Sequence, residues 1–216
     1  MNTTIILGDR PLSNRDYERI SAGTCTLELA EGAKARIRAS RAFLEDKTAR
    51  SEAPIYGVNT GFGALYNVEI DPKNLGQLQT NLVRSHACGA GALVAPEVIR
   101  LMMALKVQSF AKGVSGIRLK VVESLLTMYN LDVLPVIYEL GSLGASGDLA
   151  PLAHLSLPIL GEGSVWYEGQ QITTEEVLKS LGDRAWSPCE LASKEGLALL
   201  NGTQFMSAHG IYALIQ

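Results

Sequence analysis

Apolar positions recur at helical spacing through most of the chain, and the intervals between them are rich in glycine and proline. Ser13 has the chemistry to cap a short helix running through Ile20, which Gly23 closes. Residues 27–50 set Ala33, Ile37 and Leu44 among charges and read as one long amphipathic helix. The stretch 51–71, with Pro54 and three glycines, reads as irregular. From about Pro72 to His86, Leu75, Leu78 and Leu82 form a stripe at i, i+3 and i+7. Pro96 suits the first turn of a further helix through Val98, Met102 and Leu105, which Gly113 stops. Ser115 is placed to cap a helix bearing Val121, Leu125 and Met128 and ending at Asn130.

Residues 132–137 are too short and too proline-broken for a helix, and a glycine cluster at 141–147 precedes the apolar run from Asp148 to Leu160. Residues 164–173 read as a small hairpin turning at Glu168-Gly169, and Thr174-Glu175-Glu176 opens a short polar helix. From Ser193 the sequence is apolar and helical up to Gln216, with no stop signal, which leads us to expect one part of something larger. No repeat, linker or low-complexity run divides the chain, so 1–216 reads as one mainly helical domain.

Composition narrows the classes. The 216 residues are 47% hydrophobic and 19% charged, a globular profile with ample chain for a core. The net charge of -3, without a basic stripe, argues against a nucleic-acid partner. Three distant cysteines without a CxxC argue against a disulfide framework and a thiolate metal site, and for a reducing compartment. No run approaches a membrane span and the N-terminus lacks a signal-peptide pattern, so the expectation is a cytoplasmic protein without a membrane partner. Glycine is enriched to about a tenth of the chain, against a usual share of about 7%. Its clusters mark where unusual dihedrals or close approach are needed.

The densest cluster lies within Gly141-Ser142-Leu143-Gly144-Ala145-Ser146-Gly147-Asp148-Leu149-Ala150-Pro151-Leu152-Ala153-His154. It can be a glycine turn into a helix, with Ser146 or Asp148 as N-cap and Pro151 in the first turn. A nucleophile elbow fails on the offset of its second glycine, a phosphate loop lacks Gly-Lys-Ser/Thr, and the dinucleotide fingerprint is not matched. One further chemistry suits these residue types. Attack of the Gly147 nitrogen on the Ala145 carbonyl closes a five-membered ring, and loss of water, including the Ser146 hydroxyl, leaves an exocyclic methylidene. Glycine lets its nitrogen reach back unhindered, alanine is small, and serine supplies the leaving group. A helix N-terminus would raise the electrophilicity of such a ring.

This fourteen-residue segment resembles the signature of the aromatic amino acid ammonia-lyases, most closely the histidine-specific members. Three other segments agree with the resemblance: Tyr56-Gly57-Val58-Asn59-Thr60-Gly61-Phe62-Gly63, Asn81-Leu82-Val83-Arg84-Ser85-His86 and Lys194-Glu195-Gly196-Leu197-Ala198-Leu199-Leu200-Asn201-Gly202-Thr203. Alone, each has a plainer reading, a loop in the first case and a dipole-compensating helix-end histidine in the second.

The resemblance implies the fumarase/aspartase-like helical fold and a methylidene-imidazolone formed from Ala145, Ser146 and Gly147, with no metal and no diffusible cofactor. It implies Tyr56 as the base, and Gly63, His86 and Asn201 as substrate-binding positions. The implied reaction eliminates ammonia from an amino acid, for histidine giving trans-urocanate. Ser85-His86 differs from the Phe-Leu that the phenylalanine enzymes resemble here, but histidine also suits a phenol, so a tyrosine lyase or an aminomutase is the alternative. A catalytically silent helical scaffold is another. The family is longer than this chain, so the resemblance further implies a C-terminal half or second chain, carrying a carboxylate-binding arginine, and a tetramer. His154 and His209 stand in apolar helical stretches and read as structural.

Overall fold

The computed structural model describes residues 3–50, 53–141 and 146–216. In order, the elements are β1 (Thr3–Leu7), α1 (Asn14–Ala22), β2 (Cys25–Leu29), α2 (Glu31–Arg50), α3 (Leu75–His86), β3 (Ala90–Leu93), α4 (Pro96–Phe110), α5 (Leu119–Asn130), β4 (Leu134–Pro135), β5 (Tyr138–Leu140), α6 (Leu149–Ser156), β6 (Ser164–Tyr167), β7 (Gln170–Thr173), α7 (Thr174–Leu181), α8 (Glu195–Leu200) and α9 (Gln204–Ile215). The fold is mainly helical, with three small sheets at its margins.

Helix α4 is the centre. Met102, Met103, Val107 and Phe110 are among its buried residues, and it packs against α1, α5 and α9. Such all-round burial is what an apolar helix demands. On the outside, α1 and α7 are started by their own sequence. The Ser13 hydroxyl accepts from the Asp16 amide while the Asp16 carboxylate accepts from the Ser13 amide, and Thr173 and Glu176 repeat that reciprocal box. The expected hairpin forms as β6–β7, with Glu168 and Gly169 both at positive φ, the dihedrals a two-residue turn needs.

Four expectations are corrected. Residues 27–29 are strand, because Cys25, Leu27 and Leu29 alternate inward and β2 pairs in parallel with β1, with α1 as the crossover. The long helix therefore starts at Glu31 and buries Ala33 and Ile37. Ser115 caps nothing: Gly116 N donates to Ser40 Oγ and Arg118 N to Glu195 Oε1, which holds residues 115–118 outside α5. In α3 the leucine stripe is only half-buried, while Gln79 and Val83 are buried against α6 and α8. The apolar segment after Ser193 is two helices, broken at Asn201-Gly202-Thr203.

No helix among the described residues is long and apolar enough to cross a membrane. All three cysteines are free.

Candidate active site

One cleft of about 260 Å³ is lined by Tyr56, Phe62, Gly63, Leu82, His86, Ser146, Leu149, Leu197, Leu200 and Asn201. Every described residue expected at the site from sequence, except Gly147, lines it. Gly147 follows Ser146 directly, and Ala145 lies outside the described residues. The cleft sits where the 53–71 loop, the last turn of α3, the first turn of α6 and the end of α8 converge.

Tyr56 is 52% exposed and meets Phe62 edge-on at a centroid distance of 6.1 Å. Its loop buries Val58 and Thr60 and is further fixed by hydrogen bonds. Asn59 Oδ1 accepts from Ile55 N at 2.6 Å, Asn59 O accepts from Ile70 N at 2.9 Å, and Val58 O accepts from Ser193 Oγ. Gly57, at φ +71, lets the loop lie on α8: a Cβ there would stand 2.3 Å from Leu197 Cδ2. Only glycine meets both conditions.

His86 ends α3, and its Nδ1 stands 2.9 Å from Leu82 O. A carbonyl only accepts, so Nδ1 carries the proton of this bond. In the uncharged ring Nε2 is then a hydrogen-bond acceptor. The helix-end role and a place in the cleft coexist in one side chain.

Ser146 is half-buried, and its Oγ accepts from Asp148 N at 3.3 Å. Gly147 adopts φ +74, the left-handed region that favours glycine, yet a Cβ there would meet nothing within 4 Å, so the dihedral and not crowding sets the requirement. A serine at the cleft wall, followed by a left-handed glycine at the mouth of α6, fits the part of a cyclised tripeptide that these residues would form. Among the described residues no group of three or more His, Cys, Asp or Glu side chains could hold a metal ion.

Beneath the cleft lie two polar groups that the motifs did not bring forward. Asp148 is the N-cap of α6 but makes no side-chain cap to it. Its Oδ2 instead accepts from Phe205 N at 2.9 Å and Met206 N at 3.2 Å, capping α9. Burial pushes its carboxyl up, opposed by those two amides and by Lys106. Lys106, on α4, is 1% exposed, and its Nζ donates to Asn201 O at 3.0 Å and to Gln204 Oε1 at 3.4 Å. Burial pushes its ammonium down to about 7, with Asp148 opposing. A signal for Lys106 existed: it stands four residues after Met102 and four before Phe110, inside an apolar stripe. His154 accepts from Gly89 N through Nε2 at 3.0 Å, and burial lowers its pKa; His209 meets Phe205 edge-on. Neither lines the cleft.

Residues 12–216 match the family model described as aromatic amino acid lyase. The chain belongs to that family. Among its relatives, the histidine ammonia-lyase of Myxococcus xanthus is 46% identical over 206 residues, which cover 95% of this chain and 40% of that protein. Among solved structures, histidine ammonia-lyase from Trypanosoma cruzi superposes with a TM-score of 0.87 at 39% identity, covering 99% of this chain and 40% of that one. Tyrosine aminomutase from Streptomyces globisporus gives a TM-score of 0.86 at 35% identity, covering 98% and 38%. The chain thus spans about 40% of the length of the curated relatives it matches.

Proposed function

We propose that this chain carries the electrophile and the base of an ammonia-lyase that converts L-histidine to trans-urocanate. The observation that carries the reading is the meeting of Tyr56, His86, Ser146 and Asn201 around one cleft, although 145 residues separate the first from the last. The names of the relatives support the choice of histidine.

The difficulty of the reaction is a weakly acidic β-hydrogen beside a modest leaving group. A methylidene-imidazolone formed from Ala145, Ser146 and Gly147 supplies an electrophile that makes the amino group leave more easily. The chain's own side chains do the rest. The Tyr56 oxygen takes the β-proton, the electron pair of the C–H bond becomes the new C=C bond, and the C–N bond breaks to release the amine as ammonia. Asn201 binds the amino acid, and Gly63 leaves room for it by having no side chain. His86, its Nδ1 proton held by Leu82 O, offers Nε2 to a donor on the substrate ring. The imidazole N–H of histidine supplies that donor. Phenylalanine has none, and would leave a desolvated acceptor unpaired.

A second reading has one observation in its favour. A phenol also donates to Nε2, and a tyrosine aminomutase is among the structural relatives, so tyrosine is the competing substrate. A silent scaffold is the reading from another class. In our reading the enzyme works in the cytoplasm as a tetramer, and a further stretch or second chain supplies the arginine for the substrate carboxylate.

The test mixes the chain, together with that further part, with histidine, tyrosine or phenylalanine and follows the conjugated acid by its absorbance. Urocanate from histidine, and a protein mass lower by two water molecules, are the expected results. No unsaturated acid from any of the three would sink the lyase reading. The full mass without turnover would favour the scaffold.

A further inference from the structure

Lys106 poses a physical problem. An amine buried in the apolar face of the central helix costs desolvation that methionine, of similar length, would avoid. Its neighbours on α4 include the buried Met102, Met103 and Phe110, and among the described residues it makes no ion pair. Its two oxygen partners flank the link between α8 and α9, Asn201 O on the first residue of the link and Gln204 Oε1 on the first residue of α9, and Phe110 offers its ring face 5.1 Å from Nζ. The contact therefore spans 95 residues of sequence to grip one short link.

The link needs holding. Residues 201–203 are not helical, Asn201 is exposed and lines the cleft, and α9 gains its cap from Asp148. Asn201 N already donates to Leu197 O at 3.0 Å, so the Lys106 bond fixes the other end of the same residue. With N–H and C=O both pinned, the Cα–Cβ bond of Asn201 has one direction. An amine donates whether or not it is protonated, so this grip persists across the neutral range.

We infer that Lys106 is a positioning residue: from the rigid central helix it holds the Asn201 backbone so that the Asn201 side chain points into the cleft beside Ser146. The inference rests on the lyase reading for the consequence to turnover, and on geometry alone for the grip.

The experiment compares Lys106→Met and Lys106→Arg in the complete enzyme, each with and without Asn201→Ala. Lys106→Met is expected to raise KM for the amino acid about tenfold, the scale of one lost hydrogen bond to a charged donor. In the Asn201→Ala background the same exchange is expected to change KM less than about twofold, because the side chain being aimed is gone. Lys106→Arg, which keeps a cationic donor, is expected to lose less than Lys106→Met. A merely structural lysine would give equal losses in both backgrounds, and that additivity would overturn the inference. Amide hydrogen exchange without substrate is the arm that needs no turnover. Faster exchange at residues 201–206 in Lys106→Met, with α5 unchanged, supports the grip even if no amino acid is consumed and the lyase reading falls. Unchanged exchange at 201–206 overturns it.

Discussion

The helices at the rim and the helices at the cleft begin in different ways. Helices α1 and α7 are capped from within their own first turns, by Ser13 with Asp16 and by Thr173 with Glu176. Helices α6, α8 and α9 have no side-chain cap of their own. Around the cleft the polar ties run between distant segments: Asp148 caps α9, and Glu195, the first residue of α8, accepts from Ala192 N beside it and from Arg118 N and the Arg118 guanidinium at the start of α5. A local cap stabilises one helix. A remote cap fixes two helices relative to each other, which is what a site assembled from four segments requires.

Substitutions can break this contrast, and the largest effect is expected on chemistry. Ser146→Ala should lower kcat by several orders of magnitude with little change in melting temperature, since among the described residues the Ser146 hydroxyl bonds only the Asp148 amide. Intact mass checks it, because the loss of two waters should vanish with activity. An active Ser146→Ala enzyme would remove the electrophile from the proposal.

Next comes the remote tie between Glu195 of α8 and Arg118 at the start of α5. Glu195 is fully buried, while the Arg118 side chain is 27% exposed. Glu195→Ala should cost about 3–5 kcal/mol, the scale for removing one partner of a buried pair. Denaturant unfolding measures it, and a cost below about 1 kcal/mol would place remote and local caps on the same footing.

A third substitution tests His86 as an acceptor. His86→Leu should shift the ratio of kcat/KM for phenylalanine over histidine upward by at least about tenfold. An unchanged ranking would take His86 out of substrate choice and leave it the helix-end role alone.

The local caps should give the smallest change. Ser13→Ala should cost about 1 kcal/mol and leave turnover untouched. The same box has an acid signature. The Arg10 hydrogen bond, ahead of those from Ser13, holds the Asp16 carboxyl far below the usual carboxylate range against the opposing effect of burial. A lowered native pKa means that this contribution is complete above the unfolded value near pH 4 and is lost as pH falls below it. Asp16→Asn should flatten that limb of the stability curve.

The same contrast explains what was legible in the sequence. The Ser13 cap of α1, the hairpin turn at Glu168-Gly169 and the start of α4 at Pro96 follow from residues a few positions apart, and each was read from the sequence. Strand β2 was not: its pattern covers five residues, and its partner lies beyond an intervening helix. Ser115 misled because a cap-forming side chain says nothing about Ser40 and Glu195, which hold the following residues out of the helix. At the site, the motif residues could be named from resemblance, but Phe62, Leu82, Leu149, Leu197 and Leu200 became cleft walls only once three helix ends met. Lys106 was visible as a charge in an apolar stripe, yet its partner 95 residues on was not.

The cap that Asp148 gives to α9 also sets an order of events. Asp148 follows the tripeptide directly, and its oxygen waits for amides 57 and 58 residues further along. Closing so long a loop is slow beside the winding of a helix, so α4 and α5 can form while this corner is still open. Until α9 arrives, the carboxylate has no donors there, and the turn carrying Ser146 and Gly147 lacks its anchor. If the proposed ring forms in that turn, this anchoring would make its closure a late event, a covalent seal set after distant parts of the chain have met.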